Sequence, residues 1–119
     1  MAAGYLLGFA ITRLEPAAIA RAVAWSMLVI VMSHDGFNLT PAWRSVIIVP
    51  VSTSPSQAAR GPTAVALPAG AGGLGKASVA LCHQVTTLDR AKLATPLGRL
   101  TPEQLRAVEE GLKAALDLP

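Results

Sequence analysis

From Met27 onward the chain alternates between short runs rich in valine and isoleucine and clusters of turn-forming residues. The runs "MLVIVMS", "SVIIVPV", "TAVAL" and "SVALCHQVTTL" follow one another. β-Branched side chains suit a pleated, half-buried surface, so the pattern predicts four strands of an antiparallel sheet or small barrel. The connectors differ in character. "HDGFNLTPAW" carries the turn pairs Asp35-Gly36 and Thr40-Pro41 and reads as a short hairpin-like loop, whereas "TSPSQAARGP" is polar, flexible and carries Arg60. "PAGAGGLGKAS" invites comparison with a phosphate-binding loop, but it lacks the Walker spacing and no helical pattern follows, so it reads as an irregular turn between strands.

The period changes at the C-terminus. In "TPEQLRAVEEGLKAALDLP", Thr101 stands at a cap position, Pro102 at the first helical position, and Gln104 completes a capping-box pattern. Leu105, Val108, Leu112, Ala115 and Leu116 then recur at helical spacing, which predicts a helix packed on the sheet. Glu109, Glu110 and Lys113 fall on its solvated side. The N-terminal stretch is less periodic: Glu15-Pro16 breaks it, and the alanine-rich segment from Ala17 reads as a helix.

Composition narrows the class. The 119 residues fit one domain, and with 52% hydrophobic and only 14% charged residues the chain is too apolar to be disordered. A surface so poor in charge gains from being covered by a second copy. The net charge of +3 fits a polyanionic partner without the footprint of a dedicated DNA-coating protein. Cys82 is the single cysteine, so no internal disulfide forms, and with only His34 and His83 beside it there is no zinc-ligand spacing. A reducing cytoplasm is the compartment expected. The opening residues have no signal-peptide pattern, and the run "AVAWSMLVIVM" is shorter than the roughly 18 to 20 apolar residues of a spanning helix, so it is expected to be buried rather than in a membrane.

The segment "SVIIVPVSTS" ends a core-like strand in three hydroxyls, Ser52, Thr53 and Ser54. Taken alone, they cap a strand end by local backbone bonding. Taken with the rest of the chain, they belong to an ordered series: "VMSHDGFN" after a strand, "VIIVPVSTS" as the central strand, "GPTAVALPAGAGGLGKASVALCHQVTTLD", and "LGRLTPEQLRAVEEGLKAALDL". From about Ser33 to the C-terminus this series resembles the MazF/PemK family, the toxins of type II toxin–antitoxin modules that cleave RNA without a metal. Each motif is weak by itself, and the series in this order is what makes the resemblance specific.

The resemblance implies a mainly β fold, an SH3-like small β-barrel of the MazF/CcdB type with a C-terminal α-helix, filling residues 1–119 as one toxin domain with an atypical segment over 1–28. It implies an endoribonuclease that cuts single-stranded RNA by attack of the 2′-hydroxyl on the neighbouring phosphorus, needs no cofactor, forms a homodimer and binds a MazE-like antitoxin. Ser52 stands where the family has a threonine that touches the scissile phosphate, and Thr53 beside it is the second catalytic candidate. Ser33, Asn38, Ser54, Gln57, His83, Gln84 and Arg90 are the expected RNA-binding residues.

One departure bears on the chemistry. Where the family has Arg-Pro at the start of the strand that ends in Ser33, this chain has Met27 and Leu28, and that arginine is the family's main catalytic residue. The family's opening Gly-Glu/Asp-Ile-Trp strand and Gly-Ser-Glu loop are absent too. Arg21 and Arg44 are the candidates to replace the missing charge. Two explanations stay open: a shifted reading frame or wrong start ahead of Ser33, or a genuine chain that is a weakened or inactive relative still able to bind antitoxin or RNA. A gyrase-directed toxin of related fold, working through its C-terminal helix, is the remaining alternative.

Overall fold

The computed structural model describes residues 17–22 and 27–119; the rest of the N-terminal segment, including the turn residues Glu15-Pro16, lies outside the described residues. Among the described residues seven strands make one antiparallel sheet: β1 (Ala18–Ala22), β2 (Met27–Val31), β3 (Ser45–Ser52), β4 (Ala64–Leu67), β5 (Ser78–Leu81), β6 (Thr86–Asp89) and β7 (Leu93–Arg99). A one-turn helix α1 (Asp35–Asn38) interrupts the β2–β3 connection, and α2 (Pro102–Leu116) closes the chain. The order across the sheet is β4-β5-β3-β2-β1-β7, with β6 also paired to β3.

β3 is the axis. One edge pairs with β2, from Leu28 opposite Val51 to Val31 opposite Ile48. The other edge is shared: β6 takes its first half, Ser45 to Ile48, and β5 takes Val51 and Ser52. The run "SVALCHQVTTL" is therefore two strands, split by a 3-10 turn at Cys82–Gln84. Among the described residues no pairing joins β4 to β7, so the sheet is mainly antiparallel but not closed by hydrogen bonds. The glycine loop Ala71–Gly73 packs against β7 and β1. A Cβ on Gly73, which has φ +86°, would sit 2.4 Å from the carbonyl oxygen of Leu97, so only glycine lets the loop lie this close to β7.

β1 corrects the helix expected from Ala17. Ala18, Ala20 and Ala22 are buried in one core cluster with Val29, Val31, Val46, Ile48 and Leu93, while Ile19 is buried in the other. Small side chains let this strand lie between β2 and β7 with both faces covered. Pairing on both edges satisfies its backbone donors and acceptors, which outweighs the helical propensity of alanine.

The second cluster, with Ile19, Ile30, Val49, Val51, Leu67, Ala80, Cys82, Leu100 and Val108, lies under α2. The expected capping box is formed: the Gln104 N–H donates to Thr101 Oγ1 at 3.2 Å and the Thr101 N–H donates to Gln104 Oε1 at 3.0 Å. Leu105, Leu112 and Ala115 pack against this cluster, but Leu116 is exposed, because the apolar stripe leaves the sheet in the last turn. Glu110 and Lys113 pair on the solvated side at 3.3 Å. No described helix is long and apolar enough to cross a membrane.

Cys82 sits beneath α2, fully buried, with its thiol donating to the Val108 carbonyl at 3.6 Å. Burial disfavours the thiolate and pushes its pKa up to about 11 from 9.0. Two outcomes are expected. A thiol reagent at mildly alkaline pH leaves the native protein unmodified and reacts in denaturant. Because the folded-state value lies above the unfolded one, the thiol's contribution to stability is intact below about pH 9 and is lost as pH rises toward about 11. Rapid labelling of native protein would contradict this placement.

Candidate functional site

β3 ends at Ser52 because the chain turns there through hydroxyls. The Ser54 N–H donates to Ser52 Oγ at 3.1 Å, and the Ser54 and Ser56 hydroxyls share a bond of 3.0 Å. Local capping is thus real, yet among the described residues Ser52 Oγ serves only as an acceptor, and its O–H has no acceptor there. Ser52 is half-buried and Thr53 is exposed. A 3-10 segment, Pro55–Arg60, follows and packs along β4 and β5. Between it and the sheet lies a cleft of about 430 Å3 lined by Thr53, Ser54, Ala58, Ala66, Ser78 and Val79. Gln57 is half-buried on the same segment, and its side-chain carbonyl oxygen is buried with no donor among the described residues.

Register shows what faces these hydroxyls. Ser52 pairs with Val79 of β5, and Val79 with Ala66 of β4. On the other edge Leu28 pairs with Val51, so continuing that register by one residue sets Met27 across from Ser52. Met27 pairs in turn with Ala22. Cross-strand partners point to one face of a sheet. The row Ala22, Met27, Ser52, Val79 and Ala66 therefore shares a face, and a thioether stands where a guanidinium would flank the strand-end hydroxyl.

Neither arginine considered as a replacement reaches that row. Arg21 pairs with Leu28, which packs on the α2 side of the sheet with Val51, so Arg21 projects from the opposite face. Arg44 precedes the other end of β3, roughly 26 Å away for eight residues of strand. There it bridges Asp89 at 2.9 Å. The Ala91 N–H, and then Arg44, hold the Asp89 carboxyl below the usual carboxylate range.

Several expected RNA contacts are built into the β2–β3 connection. Ser33 and Asn38 are buried: the Ser33 hydroxyl donates to Asn38 Oδ1, and Asn38 Nδ2 donates to the Ser33 carbonyl at 2.7 Å. Both side chains are occupied in holding α1 to the end of β2. Arg90, expected on RNA, is 1% exposed in the fold. Its guanidinium donates to the carbonyls of Trp43 at 2.8 Å, Phe37 at 2.7 Å and Asn38 at 3.0 Å. Burial lowers its pKa, with Asp89 acting the other way. Arginine nonetheless stays charged, and here its planar fork serves as an internal tie for the loop. His34 caps α1, its Nδ1 accepting from the Gly36 N–H at 2.8 Å.

His83 and Gln84 are exposed on the 3-10 turn after β5. His83 Nε2 lies 3.4 Å from Arg60 at the end of the Pro55–Arg60 segment and 3.4 Å from the Gln84 amide. Arg60 was legible in the sequence only as a charge in a polar loop; its neighbour Gly61, at φ +96°, turns the chain there. Among the described residues no three His, Cys, Asp or Glu side chains come together in a metal-binding group.

A family model described as the PemK-like, MazF-like toxin of type II toxin–antitoxin systems matches residues 11–116. The match begins well before Ser33, so most of the atypical N-terminal segment lies within it. Among solved structures, an endoribonuclease from a mycobacterial species is similar at 22% identity, covering 89% of this chain and 93% of its own, with a TM-score of 0.74. The Mycobacterium tuberculosis toxin MazF-mt6 is similar at 26% identity over 88% of this chain and 99% of its own, with a TM-score of 0.71. A MazE-MazF structure from Deinococcus radiodurans is similar at 22% identity over 90% and 99%, with a TM-score of 0.70.

Proposed function

The chain belongs to the PemK-like, MazF-like toxins of type II toxin–antitoxin systems, and on that premise we propose that it is an endoribonuclease that cleaves single-stranded RNA. The observation that carries this reading is the Ser52 hydroxyl, half-buried at the end of β3, with its acceptor side occupied by the Ser54 N–H and its O–H without an acceptor among the described residues.

The chemistry asks little of the protein beyond position and charge. The ribose 2′-hydroxyl attacks the adjacent phosphorus, a cyclic phosphate forms, and the 5′-oxygen leaves with a proton. A donor fixed at a stiff strand end stabilises the growing charge on the phosphoryl oxygen without reorganising. Ser52 fills that role. Thr53, exposed beside it, and Ser54 and Gln57 on the following segment bind the strand in the adjoining cleft. His83 and Gln84 meet it further on.

The partners follow from the same reading. Similar structures include a MazE-MazF pair and an endoribonuclease in complex with its cognate antitoxin. We take a MazE-like antitoxin, single-stranded RNA and a second copy of this chain as the partners, in the cytoplasm, with no cofactor. Ser52→Ala should lower the cleavage rate of a single-stranded RNA by about 10² while leaving the unfolding transition in place. Unchanged turnover removes Ser52 from the reaction.

One observation favours a second reading. Met27 supplies no positive charge beside Ser52, and Arg21 and Arg44 lie elsewhere. A catalytically silent module that dimerises and binds antitoxin or RNA has the same fold. Purified protein that binds RNA and leaves it intact at high concentration selects that reading.

A further inference from the structure

Arg60, Thr63 and His83 line a second cleft of about 350 Å3, with Gln84 beside it. They come from three segments: the end of the Pro55–Arg60 turn, the residue before β4, and the turn after β5. The Cys82 N–H donates to the Thr63 carbonyl at 2.9 Å, and Cys82 packs beneath α2 against Gly111, so the base of the cleft is fixed. We infer that Arg60 and the Gln84 amide beside His83 hold a phosphate of the RNA strand a few nucleotides from the linkage cleaved at Ser52. The inference rests on the endoribonuclease reading above and replaces Arg90 with Arg60 as the strand's arginine contact.

Three observations support it. Arg60 is exposed and has no carboxylate partner among the described residues, unlike Arg44 with Asp89 and Lys113 with Glu110. Its one described contact is shared: the Arg60 guanidinium and the Gln84 amide both point at His83 Nε2, each at 3.4 Å. Whichever ring nitrogen carries the proton, 3.4 Å is well beyond the usual N–H to acceptor distance of about 2.9 to 3.0 Å. Donors from two elements thus converge beside one weakly held ring nitrogen, and a phosphoryl oxygen seated there, charged and able to accept several bonds, draws both donors more strongly than the imidazole does. Third, the segment between Ser52 and Arg60 has a measure. Thr53 and Ser54 lead from Ser52 into the six-residue 3-10 turn, which itself rises about 12 Å, so the two sites are joined by eight residues and separated by a few nucleotides of single strand.

Arginine suits this place because its fork meets phosphate bidentately, and the exposed edge of His83 remains available to the attached base. The contact adds one phosphate to the footprint without touching the reacting oxygens. Arg60 is thus a binding residue and not a catalytic one.

The test is salt dependence. A 2′-methoxy single-stranded oligonucleotide of about 12 nucleotides, which cannot be cleaved, is titrated with the protein over a range of salt. Loss of one phosphate contact lowers the slope of log affinity against log salt by about 0.7 on a single strand. Arg60→Ala should show that change and a weakening of about tenfold at low salt, and Arg60→Lys should recover most of the slope. Arg106→Ala, on the exposed side of α2, should leave slope and affinity unchanged. The effect of Arg60→Ala should vanish with an oligonucleotide too short to run past Ser52. Should wild-type protein bind and cleave RNA while Arg60→Ala keeps its slope, the subsite is wrong and the endoribonuclease reading stands. Failure of wild-type protein to bind RNA at all overturns both.

Discussion

Met27→Arg should raise RNA cleavage by about 10³, the low end of what a positioned arginine contributes to phosphoryl transfer. Met27 opens β2 on the face and in the row of Ser52, and it is half-buried, so a long, flexible side chain already occupies the volume. An arginine stem packs where the methionine packs, and its head reaches the strand-end hydroxyls. Met27→Lys supplies the charge without the planar fork and should recover less of the rate. Combining Met27→Arg with Ser52→Ala should cancel much of the gain, because the two groups act on one phosphoryl group and their effects are not additive. A folded Met27→Arg protein that cleaves no faster than wild type would falsify the placement of chemistry at this row.

Arg90→Ala should lower the stability of the native state by about 3 to 4 kcal/mol, read as a fall in the urea midpoint at unchanged slope. The substitution strips a buried cation from the carbonyls of Phe37, Asn38 and Trp43 and removes a charged donor from each. Those carbonyls belong to the residues that present the stacked Phe37 and Trp43 rings, whose centroids lie 4.5 Å apart at an interplanar angle of 19°. The near-ultraviolet dichroism of this pair should weaken in Arg90→Ala even below the unfolding transition. Arg90→Lys should rescue little, since one ammonium cannot span three carbonyls in a plane. An Arg90→Ala protein as stable as wild type, with a reduced salt slope for RNA, would return Arg90 to the RNA surface.

These two residues mark where reading the chain succeeded and where it stopped. The strands β2, β3, β4 and the start of β5 were visible as valine- and isoleucine-rich runs, and α2 as a capped amphipathic helix, because their periods are local properties. β7, with Thr95-Pro96 and Gly98, carries no such run. β1 looks helical and becomes a strand only because two neighbours offer it hydrogen bonds. The split of β5 from β6 was hidden as well, since Cys82–Gln84 turns to place a small buried thiol under α2.

The candidate site divides in the same way. The hydroxyls of Ser52 to Ser54 could be named from the end of a strand, and the substitution at Met27 from the order of motifs. Arg90 could not be placed, because an arginine beside an aspartate in a polar stretch has the same local signature whether it faces RNA or backbone carbonyls. Arg60 could not be singled out either, since its cleft is formed by residues more than twenty positions apart.

By itself the sequence determined the kinds of element and the strand-end hydroxyls, which follow from composition and short-range order, while the missing guanidinium showed only through the resemblance to the MazF/PemK family. Only the tertiary structure decided which face each charge occupies: β-register puts Met27 beside Ser52 and turns Arg21 away, and the packing of the β2–β3 connection draws Arg90 inward. The physical reason is that side chains in strands alternate strictly, so a shift of one residue reverses the face. Burial of a cation, for its part, depends on carbonyls that the chain brings together only on folding.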